Sequence, residues 1–329
     1  MVGLSHVALR SVIREFLPPN AVTIWPTEML NSRKVPTEDL SKTPETMRAD
    51  FETELVPQIL GNEEKPIQDS IRRLEDWGAS GIDINMGCPV QKALKHNYGV
   101  SLMGDADYAA EVVAMATRVA KVPVSVKLRA VGTDGNTDFL FKFVKGIESA
   151  GASWVCLHPR TAEQKRRGSA DWSQIKQLRD HINIPVIGNG DIQTAADVKL
   201  MLDQTGCDLV MAGRALAARP WLLWQIGEDF GFENPVGFSG KAPRTPDEEG
   251  AAYGVVLLKL IDYCEQYFGE KLALRKVRFW VRTTSCWLFY GQNVIGVSQK
   301  AKTLVELRSL VKELFENPMP MAQKTDLRQ

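Results

Sequence analysis

Short apolar segments alternate with amphipathic segments from about residue 50 to residue 230, and this alternation constrains the fold more than any other feature. The apolar segments are Val56–Leu60, Gly81–Met86, Val122–Leu128, Trp154–His158, Ile184–Gly188 and Asp208–Ala212, with an earlier one at Ala21–Trp25. Helical periodicity occurs near residues 4–16, 66–78, 106–120, 137–150, 172–181 and 194–204. Segments this short and apolar are typical of parallel strands buried on both faces. The repeated order of strand and helix therefore predicts an α/β fold with a parallel sheet.

Polar residues at the ends of these segments favour a closed (β/α)8 TIM barrel over an open doubly wound sheet. They are Gln58, Asn85 with Cys88, Lys127 with Arg129, His158 with Arg160, Asn189 with Asp191, and Gly213 with Arg214. In a barrel, all strands end at one face around one axis, so these side chains would converge. In an open sheet, only those near the point where the strand order reverses would meet. No Gly-x-Gly-x-x-Gly motif follows an early strand, which also disfavours the dinucleotide-binding fold.

The sequence contains seven candidate strands, whereas a closed barrel of this type needs eight. Because Met1-Val2-Gly3 resembles a loop that follows a strand, we expect that the first strand is missing from the start of the sequence. Residues 1–232 are predicted to form the barrel, and residues 233–250, rich in proline, glycine and charge, a linker. Helical periods near 249–268, 271–285 and 297–316 predict a small all-helical domain at 251–318, followed by a flexible tail at 319–329.

The composition excludes several classes of protein. Lysine plus arginine and aspartate plus glutamate both number 40, so the chain lacks the positive excess of proteins that coat nucleic acid, which leaves room only for a local basic patch. The five cysteines are widely spaced, which argues against a disulfide framework, and no Cys-x-x-Cys or His-Glu-x-x-His motif indicates a metal site. Neither a membrane-spanning segment nor a signal segment is found. We expect a reduced, cytoplasmic protein that binds neither metal nor membrane.

Two glycine-containing loops follow the last two predicted strands. They span Ile187–Ile192, with Asn189, Gly190 and Asp191, and Met211–Leu216, with Gly213 and Arg214. Small residues let backbone N–H groups approach an anion, and an arginine supplies positive charge. Either loop alone could be an ordinary turn. Because the loops after the last two strands of a barrel commonly hold a phosphate, the two together predict a phosphate-bearing ligand.

Four polar residues at other strand ends are candidates for ligand contacts. Lys127 ends an apolar strand, so it needs either a carboxylate partner or a bound group, such as a cofactor whose reduced ring is anionic. Gln58 and Asn85 are neutral and can form paired hydrogen bonds with the edge of a heteroaromatic ring or a base. His158 is compatible with a general acid, a phosphate contact or an ordinary core histidine.

Cys88 lies in Asp83-Ile84-Asn85-Met86-Gly87-Cys88-Pro89, where Pro89 ends the strand and places the thiol at the predicted mouth. A nucleophile, a proton donor and a structural role are all compatible with this position. A nucleophile would need an adjacent base, for which His96 is a candidate. A proton donor needs only access to a substrate carbanion. The following loop, Val90–Gly99, carries Lys92 and Lys95 and is predicted to be a mobile, positively charged flap.

A stripe of basic residues marks the predicted helix 271–285. Lys271, Arg275, Arg278 and Arg282 share one helical face, and Lys276, Phe279, Trp280 and Trp287 flank or interleave it. Most such stripes are simply solvated faces. No acidic residue occurs between Lys271 and Arg282, however, and Lys165-Arg166-Arg167 adds positive charge in a loop after a strand. These features predict a surface that binds the phosphate backbone of a nucleic acid.

Several motifs in this order resemble the tRNA-dihydrouridine synthase family, over about residues 1–300. They are Met1-Val2-Gly3, Pro57-Gln58-Ile59-Leu60-Gly61, Asp83-Ile84-Asn85-Met86-Gly87-Cys88-Pro89, Val126-Lys127-Leu128-Arg129, His158-Pro159-Arg160-Thr161, Asn189-Gly190-Asp191 and Gly213-Arg214-Ala215. Asn-x-Gly-Cys-Pro, placed between the others, is the specific one. The chain departs from the family pattern by lacking the proline before Met1 and the first strand, which would leave the cofactor pocket incomplete.

The resemblance implies an FMN-containing barrel that reduces the C5–C6 bond of selected uridines in tRNA, with NADPH or NADH as the reductant. It implies that FMN is bound by Met1, Val2, Gln58, Lys127, His158, Asn189, Gly190, Asp191, Gly213 and Arg214. Cys88 would be the proton donor. Asn85, Arg160, Arg275, Lys276, Arg278 and Arg282 would approach the uridine or the tRNA, and the protein is expected to be a monomer.

Two rival functions stay open. One is another FMN barrel that acts on a free metabolite, like a dihydroorotate dehydrogenase or an ene-reductase; the basic stripe argues against it, because a small substrate needs no such surface. The other is a noncatalytic tRNA-binding protein that retains only the barrel. The presence of Cys88, Lys127 and both phosphate loops argues against this second rival.

Overall fold

The computed structural model describes residues 1–88, 96–130, 137–165 and 167–326. The described chain forms two compact units. The first, which we call the sheet unit, comprises residues 24–191 and 198–211. The second, which we call the helical unit, comprises residues 1–23, 192–197 and 212–326. Helices and strands are numbered below in chain order.

Seven parallel strands form one sheet among the described residues, in the order in which they occur along the chain. They are β1 (Trp25–Asn31), β2 (Leu55–Leu60), β3 (Ile82–Met86), β4 (Val124–Arg129), β5 (Trp154–His158), β6 (Val186–Asn189) and β7 (Leu209–Met211). This confirms the predicted parallel α/β fold. Consecutive order is that of a (β/α)8 barrel, whereas a doubly wound sheet reverses its order at a switch point, so the doubly wound alternative is wrong.

Helices follow most strands of the sheet unit. They are α2 (Glu64–Trp77), α3 (Ala106–Thr117), α4 (Asp138–Ser149), α5 (Trp172–His181) and α6 (Ala195–Thr205), with a 3-10 helix at Gly99–Gly104. Helix α2 buries Ile67, Ile71 and Leu74 along one face and ends at Gly78, whose φ of 97° is the left-handed conformation that glycine adopts most readily. Local sequence signals of this kind explain why the predicted helices were found close to their predicted limits.

The register of the sheet places the polar strand residues on one face. Asp83 of β3 pairs with Gln58 of β2 and Ser125 of β4, and two residues further along Asn85 pairs with Lys127. Since successive side chains of a strand point to opposite faces, residues two positions apart share a face. The intervening residue Ile84 is buried. Alternation and register together therefore gather residues that are far apart in the sequence.

The helical unit contains the remaining helices of the described residues. They are α1 (Val7–Arg14), α7 (Arg214–Ala218), α8 (Leu222–Asp229), α9 (Pro246–Tyr267), α10 (Glu270–Thr284), a 3-10 helix (Ser285–Trp287), α11 (Gly291–Lys300) and α12 (Leu304–Leu314). Helix α9 begins with a capping box in which Thr245 and Glu248 satisfy each other's backbone N–H groups. The buried rings of Trp221, Tyr253 and Trp280 form part of the core of this unit.

The limits of this unit differ from the predicted domain boundaries at 232 and 251. Residues 1–23 belong to it because, for example, Glu15 pairs with Lys259 of α9 at 2.5 Å. Residues 212–232 belong to it because, for example, Trp280 Nε1 of α10 donates to the Ala217 carbonyl at 2.8 Å. Such pairs join segments distant in sequence, so composition alone did not reveal them.

Three further details differ from the sequence prediction. Strand β1 lies at Trp25–Asn31 rather than Ala21–Trp25, because a buried Glu28 and the neighbouring Thr27 hide the strand from a search for apolar segments. The segment 297–316, predicted as one helix from its periodicity, contains parts of two helices, and Thr303 is the N-cap of the second. Residues 319–326, predicted to be flexible, include Met321, which bridges to Leu288, and Ala322, whose N–H donates to the Trp287 carbonyl at 2.7 Å.

No helix within the described residues is both long enough and apolar enough to span a membrane.

Candidate active site

A chain of buried hydrogen bonds in the sheet unit runs from Asp83 to the turn that carries Cys88. Gln58 Nε2 donates to Asp83 Oδ2 at 2.5 Å, and Asn85 Nδ2 donates to Gln58 Oε1 at 2.8 Å. Asn85 Oδ1 then accepts from the backbone N–H groups of Gly87 (3.1 Å) and Cys88 (2.9 Å). Gln58 and Asn85, predicted to contact ligands, are thus neighbours in the structure, and both are joined to the Cys88 turn.

Asp83 also accepts from Ser125 Oγ at 2.6 Å. Burial raises the pKa of the Asp83 carboxyl group, whereas the hydrogen bonds from Ser125 and Gln58 and the charge of Lys127 act in the opposite direction. The same face of the sheet holds Cys156, whose pKa burial raises to about 11. Cys156 is therefore a neutral thiol at ordinary pH, unlike a reactive cysteine.

Lys127 and Asn189 meet across the sheet. Lys127 Nζ lies 3.4 Å from Asn189 Oδ1, while Asn189 Nδ2 donates to the Met211 carbonyl of β7 at 2.8 Å. The side chain of Asn189 is thereby oriented with its oxygen toward the ammonium group. The side chain of Lys127 is half-buried in β4, and its charge acts on the buried Asp83 carboxyl group.

The loop after β6 has a strained backbone that is held by Arg160. Gly190 has φ 118°, and a Cβ there would lie 2.7 Å from Ala170 Cβ and 3.0 Å from His158 Cδ2, so only glycine fits. Asp191 has φ 59° and accepts two hydrogen bonds from Arg160 Nη2, at 2.7 and 2.8 Å. A left-handed aspartate is costly, and this bidentate pair offsets the cost.

Arg160, which the resemblance implies to approach the uridine or the tRNA, has several partners within the sheet unit. Its side chain is only 5% exposed, and it also donates to the Gly168 carbonyl at 2.6 Å and lies 3.2 Å from His158 Nε2. These bonds hold the loops after β5 and β6 in place. The predicted approach of Arg160 to the uridine or the tRNA stays a prediction.

Cys88 lies directly beyond β3, as predicted, and is 6% exposed. It forms a small cluster with Tyr98, against which Met29 and Leu60 pack. His96, considered as a base for Cys88, stacks on Tyr98 with ring centroids 5.5 Å apart. The part of the predicted flap that carries Lys92 and Lys95 lies outside the described residues, as does Arg166.

In the helical unit, the first three residues form a turn beside α7 and α10. The Leu4 and Ser5 N–H groups donate to the Met1 carbonyl at 3.0 and 2.9 Å. A Cβ on Gly3 would lie 2.6 Å from the Phe279 ring, and one on Gly213 would lie 3.5 Å from Met1 Sδ. Met1 and Val2 are exposed and Arg214 is half-buried at the start of α7. The turn therefore lies next to both Gly213 and the face of α10.

The predicted basic stripe lines an open groove of about 590 Å³ on the helical unit. Its lining residues are Lys271, Leu272, Arg275, Arg278, Phe279 and Arg282. Lys271, Arg275 and Arg282 are exposed, and Phe279 is 43% exposed. Arg278 already has protein partners, because its guanidinium donates to the carbonyls of Ser298 (2.9 Å) and Ala301 (2.6 Å).

Lys276 does not belong to this groove. It is buried, and its charge acts on His6 and Cys264 inside the helical unit. Helical geometry explains the difference, because position 276 lies about 100° from position 275 around the helix axis. The stripe at spacings of four, three and four residues was thus predicted correctly as a face, whereas the flanking lysine was not part of it.

Sequence reasoning assigned no role to two residues that hold the site together. Asp83 anchors the hydrogen-bond chain, and Arg129 donates from Nε to the Gly87 carbonyl at 2.9 Å and from Nη1 to the Lys165 carbonyl at 3.1 Å. The signal for Asp83 was present in the sequence, since it is a carboxylate within a short, mostly apolar segment, two positions from Asn85. The partners of Arg129 depend on the tertiary fold and left no trace in the sequence.

Comparison with known proteins identifies the family. The family model described as dihydrouridine synthase matches residues 1–312. The chain belongs to this family. A "probable tRNA-dihydrouridine synthase" of Rickettsia prowazekii (strain Madrid E) is 35% identical over 329 aligned residues, covering 98% of this chain and 91% of the relative. The resemblance inferred from the motifs is confirmed.

Other dihydrouridine synthase relatives are similarly distant. A "probable tRNA-dihydrouridine synthase" of Rickettsia bellii (strain RML369-C) is 34% identical over 69% of this chain and 68% of its own length. One from Mycobacterium tuberculosis (strain ATCC 25618 / H37Rv) is 30% identical over 93% of this chain and 77% of its own length. Members of a dihydrouridine synthase family are oxidoreductases, so the chain is assigned to that broad class of enzyme.

A solved structure shows a similar fold. The histamine dehydrogenase from Rhizobium sp. 4-9 superposes with a TM-score of 0.52 at 12% identity, covering 79% of this chain and 46% of the dehydrogenase. The chain therefore spans just under half the length of that protein. At this identity the likeness concerns the fold alone.

Proposed function

We propose that this dihydrouridine synthase family member reduces the C5–C6 double bond of uridines in tRNA, with FMN as cofactor and NADPH or NADH as reductant. The observation that carries the proposal is the hydrogen-bonded set Gln58, Asn85 and Cys88 at the strand ends. The same sheet unit contributes the pair Lys127 and Asn189. The reaction takes place in the cytoplasm, and the protein acts as a monomer.

The residues at the strand ends fit a phosphorylated flavin. Gly190 comes directly after β6 and has no side chain that could keep an anion away from its backbone N–H group. Lys127 supplies positive charge, and Gln58 and Asn189 supply neutral hydrogen-bonding groups for a heteroaromatic ring. His158 and Asp191 complete the set in the sheet unit. The assignment of Met1, Val2, Gly213 and Arg214 to the same cofactor stays a prediction from the sequence.

Different side chains have different roles in the proposed reaction. When bound, FMN supplies the hydride that is added to C6 of the uracil ring. Cys88 would donate the proton that C5 receives, and a thiol that acts as a proton donor needs no partner base for this step. The hydrogen bonds from Asn85 to the backbone of the Cys88 turn keep that thiol in place. Lys127 stabilises negative charge on a bound ring.

The basic groove of the helical unit binds the tRNA backbone. Three exposed cations and the exposed Phe279 ring suit phosphates and an unstacked base, respectively. A uridine within folded tRNA is inaccessible, so the nucleotide must be turned out of its stack before it is reduced. An enzyme for a free metabolite would not need this groove, which is why we prefer the tRNA substrate.

Replacement of Cys88 by alanine tests the chemical step. We expect Cys88→Ala to bind FMN and to accept electrons from NADPH as the wild type does, while single-turnover formation of dihydrouridine in tRNA falls by roughly 10²–10⁴-fold. Flavin absorbance, stopped-flow reduction and mass spectrometry of digested tRNA measure the three quantities. Cys286→Ser, which changes a half-buried thiol of the helical unit, is the matched control. Unchanged turnover in Cys88→Ala would remove Cys88 from the acid role.

The wild-type protein separates the rival functions in the same assay. A noncatalytic tRNA-binding protein would purify without a flavin spectrum. An FMN enzyme for a free metabolite would be yellow and reducible by NADPH, yet would leave tRNA from a strain lacking the gene unmodified. Appearance of dihydrouridine in that tRNA is the result expected here.

A further inference from the structure

Asp83 is a buried carboxylate that the proposed chemistry does not use. It is the second residue of β3 and is 7% exposed, and its two oxygens accept from Ser125 Oγ and Gln58 Nε2. A carboxylate is seldom buried unless it is needed, because removal from water is costly. Its position at one end of the hydrogen-bond chain suggests what it does there.

The chain of hydrogen bonds from Asp83 to the Cys88 turn has a direction, which the groups at its two ends impose. Asp83 Oδ2 accepts, so Gln58 must turn its NH2 group toward Asp83 and its oxygen toward Asn85. Asn85 must then turn its NH2 group toward Gln58 and its oxygen toward the backbone of the Cys88 turn. At the other end, the N–H groups of Gly87 and Cys88 can only donate. Both ends therefore require the same orientation of both amides.

Any single reversal would place two donors or two acceptors opposite each other in a buried site. A reversed Gln58 would set its oxygen against the Asp83 carboxylate, and a reversed Asn85 would set its NH2 group against two backbone N–H groups. Hydrogen bonds to an ionised carboxylate are about twice as strong as those between neutral groups, and the hydrogen bonds from Ser125 and Gln58 favour the ionised form of Asp83. Unsatisfied buried polar groups are costly enough to make the reversed states rare.

We infer that Asp83 is a positioning residue, which sets the orientation of the Gln58 and Asn85 amides and thereby holds the turn that carries Cys88. Its importance for turnover rests on the proposed function, whereas its effect on the Cys88 turn does not. Asp83 touches neither Cys88 nor the Gly87 and Cys88 backbone in the hydrogen bonds above; it acts through the two amides.

The rate at which Cys88 is alkylated measures the order of this turn. Full-length protein is treated with iodoacetamide under native conditions, and the modification of each cysteine is followed by peptide mass spectrometry. Because Cys88 is buried, loss of the anchor should raise its rate in Asp83→Ala by about tenfold or more. Asp83→Asn should stay within about threefold of the wild type, since its oxygen can accept from Gln58 while its NH2 group donates to Ser125. Cys286, in the helical unit, should not change in any variant.

A second set of variants exchanges the carboxylate of position 83 with the amide of position 58. It tests the inference even if Asp83→Ala fails to fold. Gln58→Glu places an acceptor against Asp83 and should speed Cys88 alkylation. When Gln58→Glu is combined with Asp83→Asn, the new amide at position 83 can donate to one oxygen of the new carboxylate at position 58. Asn85 still donates to the other oxygen of that carboxylate, so protection of Cys88 should return. Failure of this double variant to restore protection, or an unchanged rate in Asp83→Ala, would overturn the inference.

General loosening of the sheet unit is the alternative to exclude. Ile147→Ala removes a buried side chain of α4 in the same unit. If it lowers the melting temperature as much as Asp83→Ala and exposes Cys88 equally, the effect of Asp83 is not specific and the inference is wrong. We expect Cys88 to stay protected in Ile147→Ala.

Turnover provides the final measurement and separates this inference from the proposed function. Asp83→Ala should lower kcat for dihydrouridine formation without raising KM for tRNA. If the wild type does not reduce tRNA at all, the proposed function fails, while the alkylation rates still decide whether Asp83 holds the Cys88 turn.

Discussion

His6 shows how one buried side chain can make a helix sensitive to pH. It is fully buried as the N-cap of α1, where its Nδ1 accepts from the Leu9 N–H at 3.4 Å. Burial, together with the positive charges of Lys276, Arg10 and the N-terminus, lowers the pKa of His6 well below 6.5. Protonation would remove the acceptor that caps the helix and add a charge beside other cations.

The sign of the pH effect follows from this shift. The unfolded chain binds a proton at His6 near pH 6.5, whereas the folded chain does so only at much lower pH, so stability is lost as pH falls below about 6.5. We expect His6 to contribute a slope of up to about 1.4 kcal/mol per pH unit to the unfolding free energy in that range. His6→Asn retains a capping oxygen and should flatten the dependence of the melting temperature on pH between 7 and 5. The same substitution at the exposed His181 serves as the control and should leave the profile as it was.

Helix α10 has one side that packs in the core of the helical unit and another that lines the basic groove. One side, with Trp280 and Lys276, is buried in the helical unit, and the other lines the basic groove with Lys271, Arg275 and Arg282. Arg278 lies between them, since its guanidinium also satisfies the last carbonyl groups of α11 at Ser298 and Ala301. A substitution of Arg278 would therefore disturb packing as well as charge, which makes it a poor probe of RNA binding.

Charge reversal at Arg275 and Arg282 tests the groove cleanly. The double variant Arg275→Glu with Arg282→Glu should weaken tRNA binding by at least about tenfold and reduce the slope of log Kd against log salt by about two. Reduction of the flavin by NADPH should be unaffected. Lys312→Glu, an exposed charge reversal on α12, is the control and should bind tRNA like the wild type. Equal losses in the two proteins would mean that overall charge, rather than the groove, governs binding.

At the scale of the whole molecule, a buried ion pair ties distant parts of the helical unit together. Arg219 and Glu249 are 2% and 0% exposed and form a salt bridge. Arg219 also donates to the carbonyls of Gln193 (2.9 Å) and Gln323 (2.8 Å), so it joins the segment 192–197 to the last described residues. The Arg219 side chain thus connects two segments that lie more than one hundred positions apart in the sequence.

Removal of one partner of this pair should be severely destabilising. Arg219→Ala would leave the Glu249 carboxylate buried without its cation, and we expect a loss of about 3–5 kcal/mol of unfolding free energy. Differential scanning calorimetry of the full-length protein measures it. Arg244→Ala, which breaks a more exposed ion pair with Asp229 in the same unit, should cost less than about 1 kcal/mol. Comparable losses in both variants would show that the burial of Arg219 has no special effect.

Periodicity and local motifs were enough to predict the parallel sheet, its consecutive helices, the position of Cys88 after a strand and the basic face of α10. These features depend on neighbours within about ten residues, so a linear sequence contains them. The partners that Arg160, Lys276 and Asp83 contact could not be predicted in the same way. Whether a charged side chain meets Asp191, a buried histidine or an amide depends on the register between strands and on helix packing, and those contacts join residues far apart in the chain.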